Sequence, residues 1–153
     1  MNSRRRTREY LLQSLYARAE LGSGYDRTSF NASYFENDTE HTLEYVYVDA
    51  LEWAILTHET ELLTLIQLMA PKFDLSTMPV IHILILMISL SEMLYTTGLD
   101  IPDSVSVNEA VELAKRFSDD QGKGFINGTL STFLKDRVNL VQMKREVKFR
   151  VFK

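Results

Sequence analysis

The sequence contains no cysteine, three prolines and six glycines among its 153 residues, and no hydrophobic run long enough to cross a membrane. Without cysteine there is neither a disulfide framework nor a thiolate metal site, which fits a reducing compartment such as the cytoplasm. The longest apolar run, residues 80–90, would span about 16 Å as a helix, whereas a bilayer core needs ~20 apolar residues. We therefore expect a cytoplasmic protein with no membrane segment, in which this run is a buried helix.

Positive charge is scarce in the body of the chain and concentrated at its two ends. Residues 1–8 carry four arginines and no acid, and residues 144–153 carry five basic residues against Glu146. These ends hold 9 of the 17 lysines and arginines, which leaves 8 basic and 20 acidic residues in the segment 9–143, a balance of −12. Basic ends on an acidic body can bind phosphate locally and stay soluble elsewhere. Two interpretations stay open here, a nucleic-acid-binding protein and a protein with solvated charged tails.

Apolar residues recur with helical spacing along the chain, and the two-residue alternation of strands is almost absent. The patterns predict helices at about 3–21, 28–35, 79–95 and 125–134, and one long helix or two bent helices between 39 and 69. Ser106 and Glu109 have the S-x-x-E spacing of a capping box, which predicts the start of another helix, followed by a turn over residues 118–124. The segment 137–153 fits either a helix or a frayed tail. The sequence therefore predicts an all-α fold.

The most specific motif is the segment 105–117, VSVNEAVELAKRF, followed by GFING at residues 124–128. It resembles the INEAVELAK-F helix and the FVNGVLD segment of the NusB family of transcription antitermination factors. The opening RRRTRE at residues 4–9, with QSLY at 13–16, resembles the RRRARE and QALY of that family, and residues 86–94 resemble its LRIALYEL helix. The matches occur in order and span residues 4–134.

The resemblance implies an all-α bundle of six to seven helices in two three-helix subdomains. Residues 1–137 would be the NusB-like domain and 138–153 a basic C-terminal extension. The resemblance also implies binding of boxA-type single-stranded RNA together with NusE, a small-subunit ribosomal protein, in an antitermination complex on RNA polymerase. It implies no catalysis and no cofactor. For the extension, a disordered terminus and added nonspecific RNA affinity both stay open.

Nine residues are candidates for RNA binding in this role. The planar fork of arginine suits phosphate, unstacked bases favour aromatic faces, and amides can bond base edges. The candidates are Arg4, Arg5, Arg6 and Arg8 for phosphates, Tyr16 and Phe125 for stacking, Gln13 and Asn127 for base edges or backbone, and Lys123 to extend the basic surface. Simpler explanations stay open: a solvated arginine arm, core packing of the tyrosine, a helix–helix contact at the asparagine and a solvated helix end at the lysine.

The chain departs from the family pattern on its apolar helix. Met87 stands where the family has an arginine, and Ser91 replaces a tyrosine. Met87, Ser91 and the adjacent Glu92 are the candidate partner-binding residues, and the departures affect any contact that the family makes through these side chains.

An enzyme is poorly supported by the sequence. His41, His58 and His82 are scattered, and His58-Glu59 lacks the second histidine of an HExxH motif, so we expect no metal site. No glycine-rich phosphate loop or G-x-S-x-G motif occurs. Two alternatives stay open. One is a protein-interaction module without RNA binding, which uses the 80–95 helix for NusE-like contacts or for self-association as a homodimer. The other is a detached copy of the NusB-like domain that precedes an RNA methyltransferase domain in some proteins.

Overall fold

The computed structural model describes residues 3–38, 42–142 and 146–153, and the regular structure in these ranges is entirely helical. Seven α-helices occur in this part of the chain: α1 Ser3–Leu21, α2 Arg27–Tyr34, α3 Tyr45–Thr57, α4 Glu59–Met69, α5 Val80–Leu94, α6 Asp103–Phe117 and α7 Asp120–Gln142. The all-α prediction is confirmed. His41, and Lys144 and Arg145 of the basic C-terminal end, lie outside the described residues.

The apolar run forms α5, the central helix of the bundle. Every residue from Ile83 to Met93 is buried, because α1, α3, α4, α6 and α7 all pack around this helix. A helix that is apolar on all sides is expected where it has neighbours on every side. The helices before residue 70 pack on one another, as do the three after it, and α5 joins both groups into one hydrophobic core. Within the described ranges, no helix is long and apolar enough to cross a membrane.

The capping-box prediction at Ser106 is wrong, because α6 begins three residues earlier. Pro102 precedes the helix with extended backbone (φ −63°, ψ 145°), and Asp103 is the first helical residue. Proline suits a helix start, where its missing N–H leaves no hydrogen bond unmade. Ser106 instead donates its hydroxyl to Glu92 of α5 (2.8 Å), and Glu109 pairs with arginines of α1. The S-x-x-E spacing therefore serves contacts between helices.

The stretch predicted as one long helix or two bent helices contains two. His58 separates α3 from α4 with non-helical backbone (φ −108°, ψ 27°). The described part of this stretch begins at residue 42, so the predicted start near residue 39 lies outside it.

The turn predicted over residues 118–124 is wrong in its extent, because α7 begins at Asp120 and includes Gly122. A Cβ added to Gly122 would lie 2.0 Å from Ser118 Oγ and 2.5 Å from His82 Nε2. The glycine therefore permits α7 to approach α5 closely, and it does not end a helix.

Residues 146–153 form a non-helical segment that lies against α4, and we call it the C-terminal strap. Before it, α7 kinks at Asp136 (φ −125°, ψ 24°) and ends at Gln142. The N–H groups of Val151 and Phe152 both donate to Glu59 Oε2 (2.6 and 3.0 Å), and the Val151 side chain is buried. The choice between a helix and a frayed tail is thus resolved as a helix followed by a docked segment. The domain boundary at residue 137 stays a prediction.

Candidate nucleic-acid interface

The N-terminal arginines of α1 are not a free arm, because each guanidinium lies against a carboxylate from another part of the fold. The partners are Glu44 for Arg4, Glu109 for Arg5, Asp38 for Arg6 and Glu92 for Arg8. Arg4 and Arg5 each make two hydrogen bonds, with N···O distances of 2.8 and 2.9 Å for Arg4 and of 3.1 and 2.8 Å for Arg5. Such two-pronged pairs fix geometry as well as charge. The alternative of a solvated arm is therefore wrong for this segment.

The ion pairs change the ionisation of the acids in them. The hydrogen bonds from Arg5 lower the pKa of Glu109, and those from Arg4 lower the pKa of Glu44. Hydrogen bonding to the charged form of a carboxyl group favours that form, so both acids stay ionised to a lower pH than free glutamates. At neutral pH these arginines therefore face full negative charges.

Arg8 belongs to a buried polar network at the centre of the molecule. Its Nε and Nη2 donate to the two carboxylate oxygens of Glu92 (2.7 and 3.0 Å), which also accepts from Ser106 Oγ and the Tyr47 hydroxyl. Burial is the largest single influence and would lower the pKa of Arg8, but the hydrogen bond to Glu92 and the charges of Tyr47, Glu92 and Glu109 together outweigh it and raise that pKa. Burial, reinforced by the Glu92 charge, raises the pKa of Tyr47 far above its usual value. The network is thus an Arg8–Glu92 ion pair inside the core, to which Ser106 and Tyr47 add hydrogen bonds.

A cleft of about 380 Å³ lies where α1 passes α6, and charged side chains of both signs surround it. Arg116 Nε lies 3.0 Å from Glu9 Oε1 of α1, and Lys115 pairs with Glu112 of its own helix. The side chains of Arg5, Lys115 and Arg116 are 42, 51 and 60% exposed. All three cations therefore face solvent while each stays paired with a carboxylate.

Two further candidates of α1 lie one and two turns beyond the arginines. Gln13 is half-buried, and its Nε2 donates to the Tyr34 hydroxyl and the Glu9 carbonyl (3.2 Å each). Tyr16 is 43% exposed, so the alternative of core packing is wrong for this ring. The tyrosine is the α1 aromatic that a ligand can reach.

The remaining candidates lie in the first turns of α7. The Phe125 ring is half-buried and stands edge-on to Phe73, with a centroid separation of 5.2 Å, and 5.9 Å from His82. Asn127 is exposed, and Lys123 is half-buried. The α1 and α7 candidates are brought towards each other by α6, because Arg116 at its end contacts Glu9 of α1 and α7 begins three residues after Phe117.

Two grooves flank Phe125, with volumes of about 310 and 500 Å³. Phe73 lines both and is 53% exposed. His82 lines the larger groove, and its Nε2 lies 2.6 Å from Ser118 Oγ. Burial lowers the pKa of His82, although Asp119 opposes the shift. Sequence reasoning missed Phe73, because it lies in a loop between two prolines, where no periodicity marks it.

The candidate partner-binding residues Met87, Ser91 and Glu92 all lie in the interior. Met87 and Ser91 are fully buried on α5, and Glu92 is 4% exposed within the Arg8 network. Ser91 Oγ has no hydrogen-bond partner among the described residues. None of the three presents a surface to a partner in this structure. Among the residues described, no three His, Asp or Glu side chains converge as metal ligands would.

Comparison with known proteins gives a family for the chain. A profile of the NusB family matches residues 5–135. "Transcription antitermination protein NusB" of Clostridium perfringens (strain SM101) is 35% identical over 136 residues, covering 88% of this chain and 98% of that protein. The proteins of the same name from Macrococcus caseolyticus and Elusimicrobium minutum are 36 and 32% identical. Their alignments cover 88 and 91% of this chain and 98% of each relative.

Proposed function

The chain belongs to the NusB family, and we propose that it is a non-catalytic transcription antitermination factor that binds boxA-type single-stranded RNA with the ribosomal protein NusE. The complex would assemble on RNA polymerase, so we also place the protein in the cytoplasm. The observation that carries the proposal is the match over residues 5–135 to a family whose members are called transcription antitermination proteins. The geometry of the α1, α6 and α7 surface supports a place for the RNA.

The phosphates of the RNA would meet the exposed cations around the α1–α6 cleft. Arg5 uses two of its five N–H donors on Glu109, and Arg116 contacts Glu9 through Nε. Both side chains therefore retain donors for a phosphate without leaving their carboxylates. Arg4 and Arg6 are about one-quarter and one-third exposed, and phosphates would approach them from the solvent side.

The bases would stack on exposed aromatic rings beside these cations. Phe125 is flanked by grooves on both sides, and Tyr16 exposes its ring on α1. Base–aromatic stacking contributes ~1–3 kcal/mol per base, so one or two such platforms are enough to orient a strand. Asn127 and Gln13 would bond base edges or the backbone, and Lys123 would add charge next to Phe125.

Arg8 would act as a positioning residue. Its guanidinium is buried against Glu92, and this pair holds the first turns of α1 against α5. We propose that it fixes the α1 surface on which Arg5 and Arg6 meet phosphate. Glu92 shares that role, and Met87 and Ser91 would influence a partner only through the packing of α5.

The proposal is tested by titrating a labelled boxA-type RNA with the protein, with and without NusE, at several salt concentrations. We expect binding that NusE strengthens, with the logarithm of the association constant falling linearly with the logarithm of the salt concentration. Absence of binding at the lowest salt, even with NusE present, would contradict the proposal.

The proposed location of the RNA at the α1–α6 cleft is tested with the variant Arg5→Ala, and Lys135→Ala is the control. Each variant removes one cation, but Lys135 is an exposed residue of α7 outside the cleft. The salt slope should decrease by about 0.7 for Arg5→Ala, the value for one phosphate contact of a single strand, and stay unchanged for Lys135→Ala. Equal slopes for the two variants would place the RNA on another surface.

A further inference from the structure

The C-terminal strap lies beyond the part of the chain that matches the family, which ends at residue 135. The strap is nevertheless held firmly: besides the two bonds to Glu59, the Val147 N–H donates to Thr64 Oγ1 (3.3 Å). Side-chain exposure alternates along it, because Val147, Phe149 and Val151 turn towards the protein. Lys148 and Arg150 between them, and Lys153 at the end, turn towards solvent. The alternation predicts a fixed basic edge.

The cations of this edge are not neutralised by the protein. Among the described residues, no carboxylate forms an ion pair with Lys148, Arg150 or Lys153. Arg150 Nη1 donates to the carbonyl oxygens of Val147 and Phe149 (2.9 and 2.8 Å), which fixes the guanidinium but leaves its charge uncompensated. The strap thus presents up to three positive charges to a polyanion.

A continuous surface connects the strap to Phe125. A groove of about 580 Å³ runs between Val147 at the start of the strap and the loop that carries Lys72 and Phe73. The same loop borders the groove beside Phe125 on its other side, so the exposed Phe73 ring stands between the two. Two acids, Asp74 and Glu146, also border the first groove. The favourable charge therefore lies at Lys72 and along the strap.

We infer that the strap, with Lys72 and Phe73, is a second RNA-binding element that takes single-stranded RNA continuing from Phe125. This inference rests on the proposed function. The strap cations would contact phosphates. Phe73, which lies between the strap and Phe125, would stack with a base. An acidic polypeptide would also suit the cations, but an exposed aromatic ring in the middle of a basic path favours a polyanion that carries bases.

The test compares two RNAs, a boxA-type RNA and the same RNA lengthened at both ends with unstructured nucleotides. The variant Lys148→Ala/Arg150→Ala/Lys153→Ala should bind the short RNA like the wild type and the long RNA more weakly. Its salt slope for the long RNA should decrease by up to about 2, because single-strand contacts contribute about 0.7 each. Phe73→Ala should lower the affinity for the long RNA by at least about five-fold, which corresponds to the smallest contribution that one base–aromatic stack usually makes.

The controls distinguish a loss of charge from a loss of folding, and binding of RNA from binding of an acidic polypeptide. Arg150→Lys keeps the charge and should bind like the wild type, and unchanged thermal unfolding shows that the triple variant is folded. If the triple variant binds the long RNA with the wild-type affinity and slope while the short RNA still binds, the strap inference fails and the proposed function stands. If the wild type binds neither RNA, both fail. If polyglutamate binds the strap as tightly as the long RNA does, the assignment to RNA is overturned.

Discussion

At one end of this protein four arginines lie against four carboxylates, and at the other end three cations of the strap lie against none among the described residues. The N-terminal charges hold the fold together: Arg8 and Glu92 form an ion pair in the core, and Arg5 ties α1 to α6. The C-terminal cations form no ion pair with any described residue, and the strap is fixed to α4 by Val151 and by its backbone N–H groups. What a basic segment can do therefore depends on which acids the fold places opposite it.

The two ends should differ most in how much a substitution lowers the stability of the protein, and Glu92 at the N-terminal cluster should have the largest effect. Glu92→Gln removes the charge that compensates buried Arg8, and removing one partner of a buried pair costs ~3–5 kcal/mol. We expect the free energy of unfolding, measured with denaturant, to fall by about 3 kcal/mol. Lys148→Ala, the counterpart in the strap, should change it by less than about 0.5 kcal/mol, as surface substitutions usually do. Similar losses in the two variants would contradict the distinction between the ends.

The strap should depend on Glu59 in the way that α1 depends on its acids. Glu59→Ala leaves the N–H groups of Val151 and Phe152 without their acceptor, and hydrogen bonds to a charged group contribute ~1.5–3 kcal/mol. We expect faster tryptic cleavage after Lys148 and Arg150, with little change in global unfolding. The neighbouring exposed Glu61→Ala is the matched control and should leave the cleavage rate unchanged. If trypsin cleaves the strap equally slowly in both variants, Glu59 does not hold the strap.

Acidification should weaken the N-terminal cluster. The pKa of Glu109 is lowered in the folded state by Arg5, so its contribution is complete above the ordinary glutamate pKa of 4.5 and is lost as pH falls through the folded-state value. The free energy of unfolding should therefore fall more steeply below about pH 4.5 in the wild type than in Glu109→Gln. Parallel pH profiles of the two proteins would contradict the assignment of the shift to this pair.

The smallest effect should come from converting the paired end into an unpaired one. Glu109→Gln leaves the Arg5 charge uncompensated at the edge of the α1–α6 cleft. RNA affinity at low salt should rise, because Glu109 no longer competes with phosphate for Arg5, and the salt slope should keep the wild-type value, because Arg5 already makes its phosphate contact. Glu36→Gln, which removes an exposed acid outside the cleft, is the control and should leave the affinity unchanged. If Glu109→Gln also leaves the affinity unchanged, Arg5 does not contact phosphate.

Local patterns were sufficient to predict the helices, because their apolar residues recur every three to four positions and α5 is apolar on all sides. The ion-pair partners were beyond such patterns, because Glu109 lies 104 positions from Arg5 and Glu92 lies 84 from Arg8. The same cause explains the wrong capping box: Ser106 and Glu109 have the spacing of a helix start, but long-range contacts occupy both. Gly122 was taken for a turn because only the packed fold reveals Ser118 and His82 beside it.

The central claim is that RNA crosses the end of α6 and the start of α7, and photocrosslinking tests it most directly. A boxA-type RNA carrying photoreactive bases is irradiated in complex with the protein and NusE, and the crosslinked residues are mapped by mass spectrometry. Crosslinks at Phe125 and Tyr16 are the predicted result, with Phe73 added for the longer RNA. Trp53 is an internal comparison for the short RNA, because it is 63% exposed and lines neither the α1–α6 cleft nor the grooves beside Phe125. Crosslinks at Trp53 and none at Phe125 would contradict the account.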